Sequence, residues 1–135
     1  MQRYETIFKQ IKSRHGIRVR RWRNSMTGSA WSVRYADGTA TNWVECPRIN
    51  SPITLAIFLH EVGHHVIGFD RYRLRCEEEL HAWRWAMRTM RSLGVEPDEN
   101  TRRRVDLSIQ YAVGKAMRRG IKSLPRELHA FRCAA

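Results

Sequence analysis

The apolar run Ile53-Thr54-Leu55-Ala56-Ile57-Phe58-Leu59 leads directly into His60-Glu61-Val62-Gly63-His64, so an HExxH pattern lies inside a segment that can only be a buried helix or a buried strand. Its length and flanks favour the helix. Pro52 suits a first helical turn and Ser51 or Asn50 can cap it. From Ile53 to Ile67 nothing breaks the pattern except Gly63, a tolerated cost. A helix repeats every ~3.6 residues, which places His60 and His64 on one face a turn apart. Two imidazoles stacked this way can hold one Zn2+, and Glu61 stands beside them to take a proton from a water that the ion activates. The plainer reading is a pair of histidines packed on a buried face. That reading leaves Glu61 as a carboxylate inside an apolar helix with no basic neighbour in sequence, an expensive group to bury unpaired.

Two histidines need a third protein ligand if one position is to stay open for water. Glu79 is preferred. The stretch Glu79-Leu80-His81-Ala82-Trp83-Arg84-Trp85-Ala86 sets Ala82 and Ala86 one and two turns beyond it, a small-residue stripe that lets this helix approach the HExxH helix closely. Glu78 comes next. Asp70 stands ten residues after His60, but the glycine such an arrangement wants is replaced by Ile67, with Gly68 one position late. His81 is two residues from Glu79 and so on another face. His65 is expected to pack or to face substrate.

The 135 residues fit a single domain, and 42% hydrophobic with 28% charged residues describes a globular chain rather than a disordered one. Met1-Gln2-Arg3-Tyr4-Glu5 opens an amphipathic segment, so no signal peptide is expected, and no apolar stretch of about 18 residues suggests a membrane span. Cys46, Cys76 and Cys133 are odd in number and widely spaced, which fits reduced thiols and a cytoplasmic location. Lys and Arg number 25 against 13 Asp and Glu, a net charge of +12 that favours nucleic acid or an acidic protein as partner. The arginines cluster as Arg18, Arg20, Arg21 and Arg23, as Arg71, Arg73 and Arg75, and as Arg102, Arg103 and Arg104. A solvated basic surface explains them equally simply.

Residues 3–14 read as a helix with Tyr4, Ile7, Phe8 and Ile11 on one stripe, stopped by Gly16. Ile17 to Arg23 reads as an arginine-rich edge strand in which Trp22 is out of phase. Trp31, Val33 and Tyr35 alternate as a second strand, Asp37-Gly38 makes a hairpin turn, and Thr39 to Cys46 returns before Pro47. Three further helices follow the HExxH helix. One runs from about Arg75 to Leu93, stopped by Gly94. The next is capped by Asn100 or Thr101 and ends by Gly120, and a short last one starts at Pro125. The expected fold class is α+β, a small antiparallel sheet of about three strands packed on a helical core.

His60-Glu61-Val62-Gly63-His64 followed by the Glu79-to-Ala86 stretch resembles the ImmA/IrrE-like group of zincin metallopeptidases, of the kind with HExxH on one helix and a glutamate ligand on the next. The resemblance covers roughly Trp31 to Met90. It implies that His60, His64 and Glu79 bind zinc, that Glu61 is the general base, and that the substrate is a protein or peptide. Members include phage and mobile-element regulators that cleave DNA-bound repressors, which makes such a regulator a candidate substrate. His81, Tyr35, Tyr72 or an arginine are the available donors to a developing oxyanion, and Trp43-Val44-Glu45 is the expected strand edge for an extended substrate. The competing expectations are a nucleic-acid-associated protein with the zincin core as scaffold or sensor, a DNA–protein crosslink protease, and an inactive binding module.

Overall fold

A computed structural model describes residues 2–132. The chain runs α1 (Gln2–His15), β1 (Ile17–Arg23), β2 (Ser29–Arg34), β3 (Ala40–Pro47), α2 (Pro52–Ile67), α3 (Arg75–Ser92), α4 (Glu99–Arg118) and a short 3-10 helix (Arg126–Phe131). This is the expected α+β order. Cys133 lies outside the described residues; Cys46 and Cys76 are buried and free. No helix among the described residues is long and apolar enough to cross a membrane.

The sheet departs from expectation in direction. Its strand order is β1-β3-β2, with β3 antiparallel to β2 but parallel to β1. The Asp37-Gly38 turn makes the β2–β3 hairpin, and the connection from β1 crosses the C-terminal end of β3 to reach the far edge. Hydrophobic alternation reports that a strand exists, not which way its partner runs. Trp43-Val44-Glu45 is therefore the middle of the central strand, not a free edge.

Along β3, Val44 and Cys46 enter the core while Trp43 and Glu45 face the other side of the sheet. A register shift between Val19 and Arg21 inserts Arg20 as a bulge, and this brings Trp22 back to the core side. The break in alternation at Trp22 is the sequence trace of that bulge. On the outer side Arg20, Arg21 and Arg23 all converge on Glu45, at 2.9, 3.4 and 3.0 Å. The Arg20 guanidinium, with Arg23 and Arg21, holds the Glu45 carboxyl below its ordinary range.

Helix α2 is buried from Thr54 to His64, the signature of a helix apolar on all sides. Ser51 caps it in a reciprocal box with Thr54, and Pro52 begins it. Phe8 of α1 packs on Phe58 and Trp22, with ring centroids 5.3 and 5.4 Å away. Helix α4 is capped not by Asn100 or Thr101 but by Asp98, whose side chain accepts from the Thr101 backbone at 2.8 Å and from its hydroxyl at 2.6 Å. The 3-10 helix inserts Leu128 into the core and is tied to α3 through Glu127.

Candidate metal centre

Helices α2 and α3 pack tightly where Gly63 meets Ala82: a Cβ built on Gly63 would stand 2.8 Å from the Ala82 carbonyl oxygen. That approach aligns the histidine face of α2 with the acidic first turns of α3. Glu79 Oε2 lies 2.8 Å from His60 Nε2, Glu79 Oε1 lies 3.3 Å from His64 Nε2, and the two Nε2 atoms are 3.1 Å apart. Among the described residues this is the only trio of His, Cys, Asp or Glu that could hold a metal ion.

The other side of each ring is also engaged. His60 Nδ1 meets Glu61 Oε2 at 3.1 Å, and His64 Nδ1 meets Glu78 Oε2 at 2.6 Å. An ionised carboxylate only accepts, so both Nδ1 atoms carry protons and both Nε2 atoms turn toward Glu79. Two imidazole nitrogens and a carboxylate then face one another, an arrangement that either a metal ion or a proton among them would satisfy. Donors around one tetrahedral ion of zinc's size stand about 3.3 Å apart, close to the three separations here. The donor set fits. Without a metal, a proton is the substitute. Burial works to lower the His60 pKa, but the charge of Glu61 and the contacts with Glu61 and Glu79 raise it to about 9. Burial likewise works to raise the Glu79 pKa, and the two histidines override it and lower it.

Trp83 stacks flat on His60, rings 3.9 Å apart and 6° from parallel, fixing the plane of that imidazole. Its Nε1 is the one buried side-chain polar atom among the described residues without a hydrogen-bond partner. Gly28, in the crossing from β1 to β2, closes over the general-base candidate: a Cβ there would be 2.8 Å from Cγ and Oε2 of Glu61. Burial, and then the nearby Glu61 charge, push the Cys46 thiol up to about 12, so this cysteine stays protonated and is no nucleophile.

Of the sequence candidates, His60, Glu61, His64 and Glu79 come together. Glu78 is the acceptor behind His64 rather than part of the trio. Asp70 sits exposed in the turn after Gly68 and joins no such cluster. His81 stacks on Tyr72 and bonds Glu127 at 2.9 Å, which docks the C-terminal 3-10 helix. His65 Nε2 donates to the Trp43 carbonyl at 2.9 Å, a packing role. The trio opens on a cleft of about 740 Å³, within the range of ligand pockets. None of His81, Tyr35 or Tyr72 lines it, whereas Tyr111 of α4 does. Of the arginine clusters, Arg73, Arg75 and Arg104 reach its lining. Arg20, Arg21 and Arg23 gather on Glu45 outside the cleft lining, and Arg18 lies over the Trp43 ring at 5.3 Å. Arg102 bonds the Pro97 carbonyl at 2.6 Å, and Arg103 is exposed on α4. Gly28, Trp83 and Tyr111 carried no sequence signal, because each acts through a neighbour distant in the chain.

Compared with known protein families, curated proteins and solved structures, the chain matches none.

Proposed function

We propose that the chain is a zinc-dependent peptidase acting on a protein substrate in the cytoplasm. The observation that carries this reading is the convergence of His60, His64 and Glu79 within 4.8 Å of one another, with Glu61 beside them at the floor of an open cleft. Two nitrogens and one oxygen form the donor set preferred by a catalytic zinc. When bound, the ion would supply Lewis acidity to a peptide carbonyl and to a water. The rest of the work belongs to the chain. Glu61 takes the proton of the attacking water and returns it to the leaving amine. Gly28 keeps that carboxylate close to the trio, Glu78 orients His64, and Trp83 orients His60. The free edge of β2, whose Ser29 and Ala30 line the cleft, can hold an extended substrate by backbone pairing. The ImmA/IrrE-like resemblance adds a DNA-bound regulator of a phage or mobile element as the candidate substrate.

Purified chain is expected to hold about one zinc, the ratio a single three-ligand site predicts. Glu61→Gln removes none of the three ligands, so with excess zinc the site should still fill, while peptide cleavage should fall by roughly 10²–10⁴-fold, the usual contribution of a general base. A Glu61→Gln variant that cleaves at the native rate sinks the reading.

Metal binding should also compete with protons. His60 is charged in the metal-free chain below about 9, whereas Glu79 is already ionised there. Zinc must therefore displace a proton at neutral pH, so affinity rises with pH by up to about tenfold per unit and levels off as His60 becomes neutral. Calorimetry in buffers of different ionisation enthalpy measures the proton released. Zinc binding with no proton release contradicts the ligand set.

A further inference from the structure

The wall that α4 gives to the cleft has a pattern of its own. Arg104, Ser108, Tyr111, Lys115 and Arg119 recur at helical spacing, with Leu107 beside them, and all line the cleft. Leu107 is 52% and Tyr111 67% exposed, large apolar side chains left bare between cations. No ion pair among the described residues uses Arg73, Arg104, Lys115 or Arg119. Other arginines are neutralised internally by Glu45, Glu78, Glu79, Glu96 and Glu127. Arg104 is also held in place, bonding the Met26 carbonyl and, at 3.1 Å, the Ser108 hydroxyl, so that it stands at the crossing strand connection beside Gly28.

We propose that this cleft selects polypeptide segments in which an apolar stretch is flanked by carboxylates. Arg104 receives the carboxylate on one side, Lys115 and Arg119 those on the other, and Leu107 and Tyr111 receive the apolar side chains. The inference rests on the peptidase reading and names its substrate class. The dimensions agree. Arg104 to Lys115 spans about 16 Å at the helical rise per residue. That distance is covered by about five residues of extended chain. A polypeptide suits the cleft better than a nucleic acid. The β2 edge at Ser29 and Ala30 offers alternating backbone donors and acceptors, the pattern that an extended peptide complements strand to strand. The densest arginine run, on β1, gathers around Glu45 with none of its members lining the cleft, so it does not extend the cleft's cations into a phosphate track.

The test uses the zinc-loaded full chain carrying Glu61→Gln and two fluorescein-labelled peptides. These share an apolar centre and differ only in flanking glutamates or glutamines. Fluorescence anisotropy at low salt should show the glutamate peptide binding about tenfold more tightly, as expected for several exposed charge pairs acting together. The preference should shrink as salt is raised. Adding Lys115→Gln and Arg119→Gln should bring the ratio toward unity, with zinc content and thermal melting showing that the chain is folded. Equal affinities for the two peptides overturn the proposal. So does displacement of the glutamate peptide by single-stranded DNA at lower concentration than by unlabelled glutamate peptide. Preferential binding together with no cleavage of either peptide by the native zinc-loaded chain upholds the charge selection and removes the peptidase reading.

Discussion

Glu79→Ala is expected to strip the chain of zinc, while Asp70→Ala leaves it loaded. Glu79 alone places an oxygen against each of the two Nε2 atoms, at 2.8 and 3.3 Å, and its removal leaves two imidazoles facing each other 3.1 Å apart with no counter-charge in front of them. Glu78→Gln makes a third arm. Within the site Glu78 touches the rear nitrogen of His64 and not the trio's facing atoms, so the loss should be the roughly 10–100-fold typical of an outer partner, and Glu79→Ala should exceed it. Zinc titration against a competing chelator ranks the three variants. If Asp70→Ala loses the metal and Glu79→Ala keeps it, the helix-to-helix site is wrong.

Gly63→Ala should damage both fold and site, against the usual gain from replacing a helical glycine. That gain, about 0.5–1 kcal/mol, applies where the new methyl meets open space. Here it would lie 2.8 Å from a backbone oxygen and 3.3 Å from the Cα of Ala82, atoms that cannot swing aside. Helix α3 must move, at the ~1–3 kcal/mol typical of overpacking, and Glu79 moves with it. Gly114 of α4 is the internal control, since a Cβ there meets only the flexible end of Arg118 at 3.3 Å. Thermal melts should show Gly63→Ala destabilised and short of zinc, with Gly114→Ala unchanged or stabilised. A Gly63→Ala chain as stable as Gly114→Ala and fully loaded contradicts the close-packing argument.

Gly63 also shows where sequence reading stopped. Along the chain it is a small defect in an otherwise good helix. Only the partner helix reveals that no larger residue fits. Glu78 and Glu79 are a similar case: the alanine stripe ranks Glu79 ahead of Glu78 as a ligand but gives Glu78 no duty of its own, and only the packed helices show that Glu79 meets both Nε2 atoms while Glu78 supports His64 from behind. The α4 wall was half visible. Val105, Ile109 and Val113 recur at helical spacing toward the core, and the second stripe of cations and bare apolar groups has a meaning that depends on what lies across the cleft.

From local spacing, the residues alone determined the order of helices and strands, the capped apolar α2, and the shared face of His60 and His64, because these depend on periods of a few residues. Tertiary structure decided the rest. The parallel direction of β1, the separate duties of Glu78 and Glu79, the closure of Gly28 over Glu61 and the joining of Arg104, Lys115 and Arg119 to the cleft all depend on contacts between elements far apart in the chain. No periodicity in a single segment encodes the distance to another.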